Sequence, residues 1–437
     1  MRPDGWSRRT IRECLAGQFS GEWGSEPGHQ DGNATVLRST DLDDEGHVDV
    51  YGGAQRTIAT AKLSMKRLRP GDILLEASGG GPGKPVGRVA LFAECSSARY
   101  LCSNFFRTLR PNRSVADPSF LAWRLHYLYR SPTIWSLQQQ TTGIINLKFQ
   151  DYLNIDICLP SIPQQRLVAD ILDALDRLIL KSERIVAKLS RMKQGLMHDL
   201  LTRGVDENGD LRNPEEHPEQ FKDSTLGMIP KVWSVLPLGE VVPHVVYGVS
   251  VPLSFNSSGI PVLRMNNLKN GEADVSDLKY SASVMARRLL LRPGDVLFNR
   301  TNSIEHVGRT GIWRGQLGLA SFASYLVRLD PEPARLNNEF LNHWLNWPCT
   351  QVRIRRYATP GVQQVNINPT NLRKTMIALP SSISEQVAIV ESLVAHDATI
   401  ASEVRELAKL RLLKQGLMDD LITGRVHVTP ILAESTP

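Results

Sequence analysis

The chain of 437 residues is written twice, and a duplication of this length limits the possible folds more than any other feature. Trp6-Ser7 recurs as Trp233-Ser234, VLRSTDL (36–42) as VLRMNNL (262–268), and LRPGDIL (68–74) as LRPGDVL (291–297). TTGIINL (141–147) then matches the looser TPGVQQVNI (359–367), Leu159-Pro160 matches Leu379-Pro380, and KQGLMHDLL (193–201) matches KQGLMDDLI (414–422). The displacement drifts only from 227 between the tryptophans to 221 between Lys193 and Lys414. Each copy therefore builds the same substructure, in a chain long enough for two or three domains.

The character of each copy changes at its Leu-Pro. Before it, short β-rich runs such as DILLEA, GRVALFAE, DVLFNR and GIWRG alternate with turn residues, the pattern of a mixed α/β domain with several strands. After it, the period becomes helical. The first helix opens on Ser161 with Gln164 three residues on and Pro163 in the first turn, a capping-box pattern; the second opens on Ser382 with Glu385 at the same spacing. Gly204 and Gly424 close them. A helix of about 40 residues is a rod of roughly 60 Å, longer than a small domain is wide, so the two are expected to pair with each other. Val168, Ile171, Leu175, Leu178, Ile185, Leu189, Met192 and Leu196 follow alternating steps of three and four, broken at Ser182, which is a coiled-coil seam. Ile389, Leu393, Ile400, Leu407, Leu410, Leu417 and Leu421 form the matching seam, with His396 read as a packing residue within it. Antiparallel pairing would put the two β-rich domains at opposite ends. Gly195 and Gly416 lie inside these helices at a cost of about 1 kcal/mol each. Close backbone approach at a helix crossing is the expected reason, with simple inheritance from the duplication as the alternative.

A hydrophobic content of 41% and a charged content of 22% are ordinary for a globular chain and exclude wholesale disorder. The five cysteines, Cys14, Cys95, Cys102, Cys158 and Cys349, are scattered and form no CxxC pair, so neither a disulfide framework nor a zinc site is expected and a reducing cytoplasm fits. No segment offers the roughly 20 apolar residues of a membrane span, and the N-terminus has no apolar stretch of an export signal. The net charge of +6 is modest, but its distribution is uneven. Residues 99–130 hold six arginines against Asp117 alone, and 349–374 hold Arg353, Arg355, Arg356, Arg373 and Lys374 against no acid. Residues 203–223 are net acidic.

Motifs of catalysis are missing. SGGGPGKP (78–85) lacks GxxxxGK[ST] spacing and runs into the strand-like VGRVALF, so it reads as a glycine-rich hairpin loop, with DNA-backbone contact as an added role. The sequence contains no dinucleotide fingerprint, HExxH, GxSxG or amino-methyltransferase tetrapeptide. Two basic β-rich domains on a rigid spacer do suit the reading of a split DNA sequence, since arginines bind phosphates while Arg, Asn, Gln and Lys on loops read base edges. The candidates are Arg38, Lys84 and Arg88 in the first copy. In the second they are Arg264, Asn266, Asn267, Asn299, Arg300, Asn302 and Arg309, with Arg353, Arg355 and Arg356 from the basic run. Each is equally read as a surface or capping residue. Leu175, Leu189, Leu196, Leu407, Leu410 and Leu417 are the candidates for helix pairing and partner docking.

The order of LPSIPQQ (159–165), KQGLMHDLLTRG (193–204), DENGDLR (206–212), LGMIPKVW (226–233) and KQGLMDDLITG (414–424) resembles the specificity (S) subunits of type I restriction-modification systems. The resemblance covers nearly the whole chain. It implies an α+β fold of two mixed α/β target-recognition domains, at 1–160 and 231–381. Long helices at 161–204 and 382–424 would join them as an antiparallel coiled coil with a pseudo-two-fold repeat, with an acidic linker at 205–230 and a tail at 425–437. It further implies a non-catalytic subunit that reads a bipartite, interrupted sequence in double-stranded DNA and docks methyltransferase and endonuclease/translocase subunits. S-adenosylmethionine, ATP and magnesium would belong to those partners, with no cofactor or metal held by this chain. The first copy lacks the GxIPKxW lead-in, which leaves open whether its N-terminal edge is complete. It also carries Ala77 where family members often have a basic residue. The competing reading is a coiled-coil interaction scaffold that reads no sequence.

Overall fold

A computed structural model describes residues 5–28, 32–80, 83–141, 143–362 and 364–428. They fall into two compact units, Met1–Glu183 with Arg405–Pro437, and Arg184–Val404. The duplication in the sequence is a duplication of strand pairing. In the first unit Ser7–Thr10 pairs antiparallel with Asp156–Leu159, Ser7 opposite Leu159; in the second Ser234–Pro237 pairs with Met376–Leu379, Ser234 opposite Leu379. The first unit has a four-stranded sheet in the order Leu15–Ser20, Phe106–Pro111, Ile73–Glu76, Val89–Leu91. In the second unit His244–Tyr247, Leu326–Asp330, Val296–Asn299 and Thr310–Ile312 repeat that order, and the sheet continues into Gly271–Ala273 and Leu268–Lys269. A three-stranded sheet accompanies each: Ala34–Leu37 lies between Ala54–Arg56 and Tyr100–Cys102, and Ile260–Leu263 between Lys279–Ser281 and Ser321–Phe322.

The repeated motifs are the joints of this plan. In LRPGD the glycines adopt a left-handed conformation, φ +96° at Gly71 and +94° at Gly294, which a side chain would strain. The turn brings Asp72 under the Arg69 N–H at 2.8 Å and Asp295 under the Arg292 N–H at 2.9 Å. Arg110 and Arg328, from corresponding strands, donate to the same carboxylates. In the first turn of each long helix, the chain docks through one buried glutamine. Gln165 accepts from the Asp117 N–H (2.8 Å) and donates to the Pro160 and Val115 carbonyls (2.9 and 3.3 Å). Gln386 accepts from the Asn337 N–H (2.8 Å) and donates to the Arg335 and Pro380 carbonyls (2.9 and 3.3 Å). Asp117 and Asn337 are themselves N-caps, of Pro118–Tyr129 and Asn338–Asn346, so the glutamine ties a long helix to the helix behind the sheet.

The long helices run Ile162–Arg203 and Ile383–Leu421. In the first unit, Val168 and Leu172 from the start of one helix join Met418, Leu421 and Ile422 from the end of the other in a core with Trp6, Phe120, Leu121 and Tyr152. In the second, Met197, Leu200 and Leu201 from the end of the first helix meet Ile389, Val390 and Leu393 from the start of the second, around Trp233, Phe340 and Trp344. The pairing is therefore antiparallel within each unit.

The seam differs from its expected form. Leu175 is buried with Ile179 and Leu407, and Leu410 and Leu417 pack on them. Leu196 packs against the second core, and Leu189 is half-buried. But Leu178, Ile185 and Met192 are exposed. Ile171 still packs on the first core, but from Leu178 on only one of the two heptad positions faces inward, because the helix ends turn their apolar face into the modules at a 3.6 period and the strict seven-residue stripe drifts off that face. His396 is more than a packing residue, since its Nε2 lies 3.0 Å from the Leu189 carbonyl. Gly195 and Gly416 make no close backbone approach. A Cβ added at either would meet nothing within 4 Å, so both face open space. Gln164 accepts from the Ser161 N–H at 3.1 Å as a capping box requires. Glu385 does not return to Ser382; its carboxylate accepts instead from the Trp233 indole (3.0 Å), the Val205 N–H (3.3 Å) and Arg212 (2.5 Å), and Ser382 accepts from the Ser384 N–H. The IPKxW lead-in and the acidic linker thus meet at one carboxylate.

Replacing Gln165 or Gln386 with leucine would strand a buried N–H and two carbonyls. Either substitution is expected to destabilise its unit by about 2–4 kcal/mol in urea unfolding, and a loss below about 0.5 kcal/mol would refute the lock.

Candidate nucleic-acid interface

The first-copy candidates converge on one loop. Arg38 holds Asp41 with two nitrogens (2.8 and 3.2 Å) and the Gly52 carbonyl at 2.6 Å. Arg88 grips the buried Glu76 in the same forked manner, at 2.7 and 2.9 Å, and reaches the Leu42 carbonyl (2.6 Å) and the Ser39 carbonyl (3.1 Å). Lys84 lies 2.8 Å from Asp44, with half its side chain exposed. Arg88 is a bracket that shapes residues 39–44, while Lys84 is open to a competing anion. The glycine-rich segment does join antiparallel strands, as its hairpin reading requires; Gly81 and Pro82 lie outside the described residues.

The second-copy candidates form two groups. Arg264, Asn266 and Asn267 gather on Asp277 and its carbonyl, and Asn267 is buried there as the cap of a short turn. Asn299 is also buried, with its amide directed to the Met265 and His306 carbonyls and its Oδ1 unpartnered among the described residues. Arg300 lies over the Tyr247 ring at 5.3 Å and 3.4 Å from Asn366. Asn302 caps the Ser303 N–H at 2.8 Å, and the Arg309 side chain makes no hydrogen bond or ion pair among the described residues. From helix Pro348–Arg355, Gln351 donates to the Gly308 carbonyl (2.7 Å) and Arg355 to the Glu305 carbonyl (3.5 Å), so the basic run borders the 299–309 segment. Arg353 stacks on Trp347 and Arg356 is exposed. The run at 99–130 is no single patch: Arg110 serves Asp72, Arg113 the Pro70 carbonyl, and Arg124 is half-buried with its pKa lowered by desolvation.

Matching the copies residue by residue exposes what their separate reading missed. Ser78 donates to Asn146 at 2.6 Å where Asn366 donates to Thr301 at 2.9 Å, so the same cross-strand pair anchors both hairpins. Beside each stands a partly exposed aromatic, Phe105 and Tyr325, 220 positions apart, on the turn whose carbonyl accepts from the Ala77 or Arg300 N–H. Ala77 and Arg300 are therefore equivalent, and the basic residue lacking in the first copy is present in the second.

Another group lies at the base of the first module. His47 bridges Asp43 (2.8 Å) and Asp176 of the first long helix (2.6 Å); Lys414 of the second reaches the other oxygen of Asp176 at 2.6 Å. The pair recurs with Lys193 and Asp397 at 2.5 Å, each residue displaced by 221, which gives the lysine of KQGLM a physical role. In the first unit His47 and Asp176 border a cavity of about 500 Å³ lined by Trp123, His126 and Asp173 as well. Hydrogen bonds to Asp176 and then Asp43 push His47 up to about 10. Burial raises Asp43 and Asp176, but the His47 contacts outweigh it, holding Asp43 down to about 2 and Asp176 below its usual range. Burial lowers His126 to about 4.

Two copies of one α+β module, each carrying Arg, Asn and exposed aromatic side chains on hairpins and each packed on long paired helices, define a chain with a duplicated candidate binding surface. The family model for the type I restriction modification DNA specificity domain matches residues 30–191 and again 230–412. The chain belongs to this family. It is 28% identical over 214 residues to the putative type I restriction enzyme MjaX specificity subunit of Methanocaldococcus jannaschii, covering 48% of this chain and about half (49%) of that one. To the MjaVIII specificity subunit of the same organism it is 27% identical, over 67% of both chains. The EcoKI specificity subunit of Escherichia coli is 25% identical over 83% of this chain and 76% of its own. In fold it is similar to the crystal structure of the type I S subunit from M. genitalium, with a TM-score of 0.58, 14% identity and coverage of 96% and 99%. A chain from work on complex assembly and conformational transition of the type I R-M system gives 0.53 and 18%, covering 98% of this chain and 100% of its own.

The charge on His47 has a testable sign. Its folded pKa lies above the ordinary value of 6.5, so its contribution to stability is complete below about pH 6.5 and is lost toward about pH 10. Asp43 and Asp176, both lowered, contribute above their ordinary 3.8 and lose this as the pH falls. The stability gap between wild type and His47→Gln should be widest near pH 5–6 and close by about pH 10; an equal gap at both ends in chemical denaturation would exclude a charge-based role.

Proposed function

We propose that this chain is the non-catalytic DNA-reading subunit of a type I restriction-modification complex. Each module reads one half of an interrupted target in double-stranded DNA, and the helix pair sets the distance between the halves. The observation that carries the reading is that the specificity-domain match falls on both halves and that the same strand pairings recur in both. Readers on one duplex need phosphate affinity common to both and base contacts that differ. Common to both copies are the LRPGD turn, the hairpin pair and the exposed aromatic. Different are Glu76 with Arg88 against Asn299 with Arg309, and Ala77 against Arg300.

Methyltransferase subunits, and endonuclease/translocase subunits with them, would dock on the helices. The support is apolar surface in solvent: Leu178, Leu412 and Leu413 in the first unit, Ile185, Met192, Val394 and Val404 in the second. Exposed apolar side chains gathered on an element mark an interaction site. Gly195 and Gly416, facing open space, admit a partner's backbone there. S-adenosylmethionine, ATP and magnesium would be bound by those partners. The five free cysteines fit a reducing cytoplasm, and no helix among the described residues is long and apolar enough to cross a membrane.

The test is a binding selection with the complex of this chain and methyltransferase subunits on duplexes with two randomised blocks. One bipartite sequence should emerge, with affinity falling on the order of 10²-fold or more between about 50 and 200 mM salt. Exchanging residues 1–158 for a relative's should change one half of it only. No enriched sequence would leave the chain a scaffold. Separately, Leu412→Asp with Leu413→Asp should weaken capture of the methyltransferase subunit at least about tenfold while changing stability by less than about 0.5 kcal/mol; unchanged capture would place docking elsewhere.

A further inference from the structure

The two modules are not fastened to their helices in the same way. In both, a Lys–Asp pair crosses between helices. In the first unit, Asp176 is also held by His47, which belongs to the reading module. The turn carrying His47 is rigid: Asp43 accepts from the Glu45 and His47 N–H groups, each at 2.9 Å, and its other oxygen takes the His47 Nδ1. Lys414, almost fully buried, adds Glu45 of the same turn at 3.3 Å and lies 4.9 Å above the Trp123 ring. One turn of the module thus touches both helices through charged groups. The residue before Asp43 and the one after it are also those gripped by the basic face, since Arg88 holds the Leu42 carbonyl and Lys84 holds Asp44.

Among the described residues the second module lacks this fastening. Gly46 and Gly271 occupy equivalent places, each packed against the residue pair His126/Asn346 on the following helix. His47 therefore corresponds to Glu272. Glu272 turns to Arg314 at 2.7 Å, and Arg314 also binds Glu339, so the turn is tied to its own module. Asp397 keeps Lys193 as its ion-pair partner among the described residues.

We propose that His47 and Asp176 form a latch that fixes the first reading module on the helix pair, making the position of that reader, and hence the tolerated spacing of the two half-sites, depend on a contact without counterpart in the second module. His47 is a positioning residue here, acting through Asp176 and not through DNA. The inference rests on the two-reader function proposed above. Long exposed side chains hold a geometry poorly, whereas an aspartate shared by a histidine and a buried lysine, each with a second partner, is restrained from several directions.

The experiment uses the full chain with its methyltransferase partners and a duplex library in which both half-sites and the spacer length vary. Wild type should select one spacer. His47→Ala and Asp176→Asn should each admit spacers one base pair longer or shorter at least about fivefold more readily, or relax the first half-site by that factor, with the second half-site unchanged within about twofold. His47→Lys, which restores a cation beside Asp176, should recover most of the spacer preference. Should His47→Ala lose its fold, His47→Gln is judged by the same criteria. Spacer and first-half preferences unchanged in both variants, or both half-sites relaxed together, would overturn the latch, as would failure of His47→Lys to do better than His47→Ala. A wild type that selects no sequence instead removes the two-reader function, a separate outcome.

Discussion

Everything in this structure depends on burying the ends of two helices that are too long to be covered by either module. Along the 42 residues of the first helix, the favourable burial is concentrated where Val168 and Leu172 enter one core, where Leu175 and Ile179 meet Leu407, and where Leu200 and Leu201 enter another core. Each such side chain contributes about 2 kcal/mol. The polar locks act at the same places. Gln165 and Gln386 satisfy the backbone where each helix leaves its module, so the apolar contact is made in one orientation and not several. Between the ends, the helices meet through Leu175 and Ile179 with Leu407 and through the ion pairs Lys193 with Asp397 and Lys414 with Asp176, and an apolar stripe is left in solvent.

Charge follows the same economy. Half-buried arginines are forked onto buried carboxylates, Arg88 on Glu76 and Arg110 on Asp72, where removal of the arginine would leave an uncompensated ion. These arginines set loop shape. What is left for a polyanion is a smaller group, Lys84 and Arg356 at the surface with Arg309 and Arg300, and the modest net charge of the whole chain reflects this.

The duplication, the long helices and their antiparallel pairing were legible because each is carried by periodicity or repetition. The seam was half legible. A heptad pattern does not state which of its two positions is covered when the helix ends obey a 3.6 period, and so Leu178 and Met192 look like core in the sequence and lie in solvent. Gly195 and Gly416 misled for a related reason: a glycine in a helix announces room, and only coordinates tell whether the room is filled. Arg88 and Asn299 could not be assigned from sequence because an arginine on a loop and one buried on a glutamate carry the same letter. The histidine and aspartate at the base of the first module escaped notice altogether. They are 129 positions apart, and although Asp176 recurs as Asp397, Glu272 stands where His47 would recur, so the repeats do not point to the pair.

The two copies have diverged unevenly. The features retained in both copies, the glutamine lock, the Lys–Asp pair and the LRPGD turn, all act on the joint between module and helix or on the sheet. The features that differ lie in the turn at 43–47 and 269–272 and on the strand from Glu76 or Asn299 outward. A substitution on that strand alters the surface of one module without disturbing the joint, because the strand's neighbours in the sheet are fixed by buried apolar residues such as Leu74, Leu75, Leu297 and Phe298. A substitution in the turn is different. In the first copy that turn is part of the joint, since His47 is held by Asp176, and in the second it is not. Sequence change is therefore mechanically freer in the second module than in the first, and the asymmetry follows from which residue of each turn faces the helix.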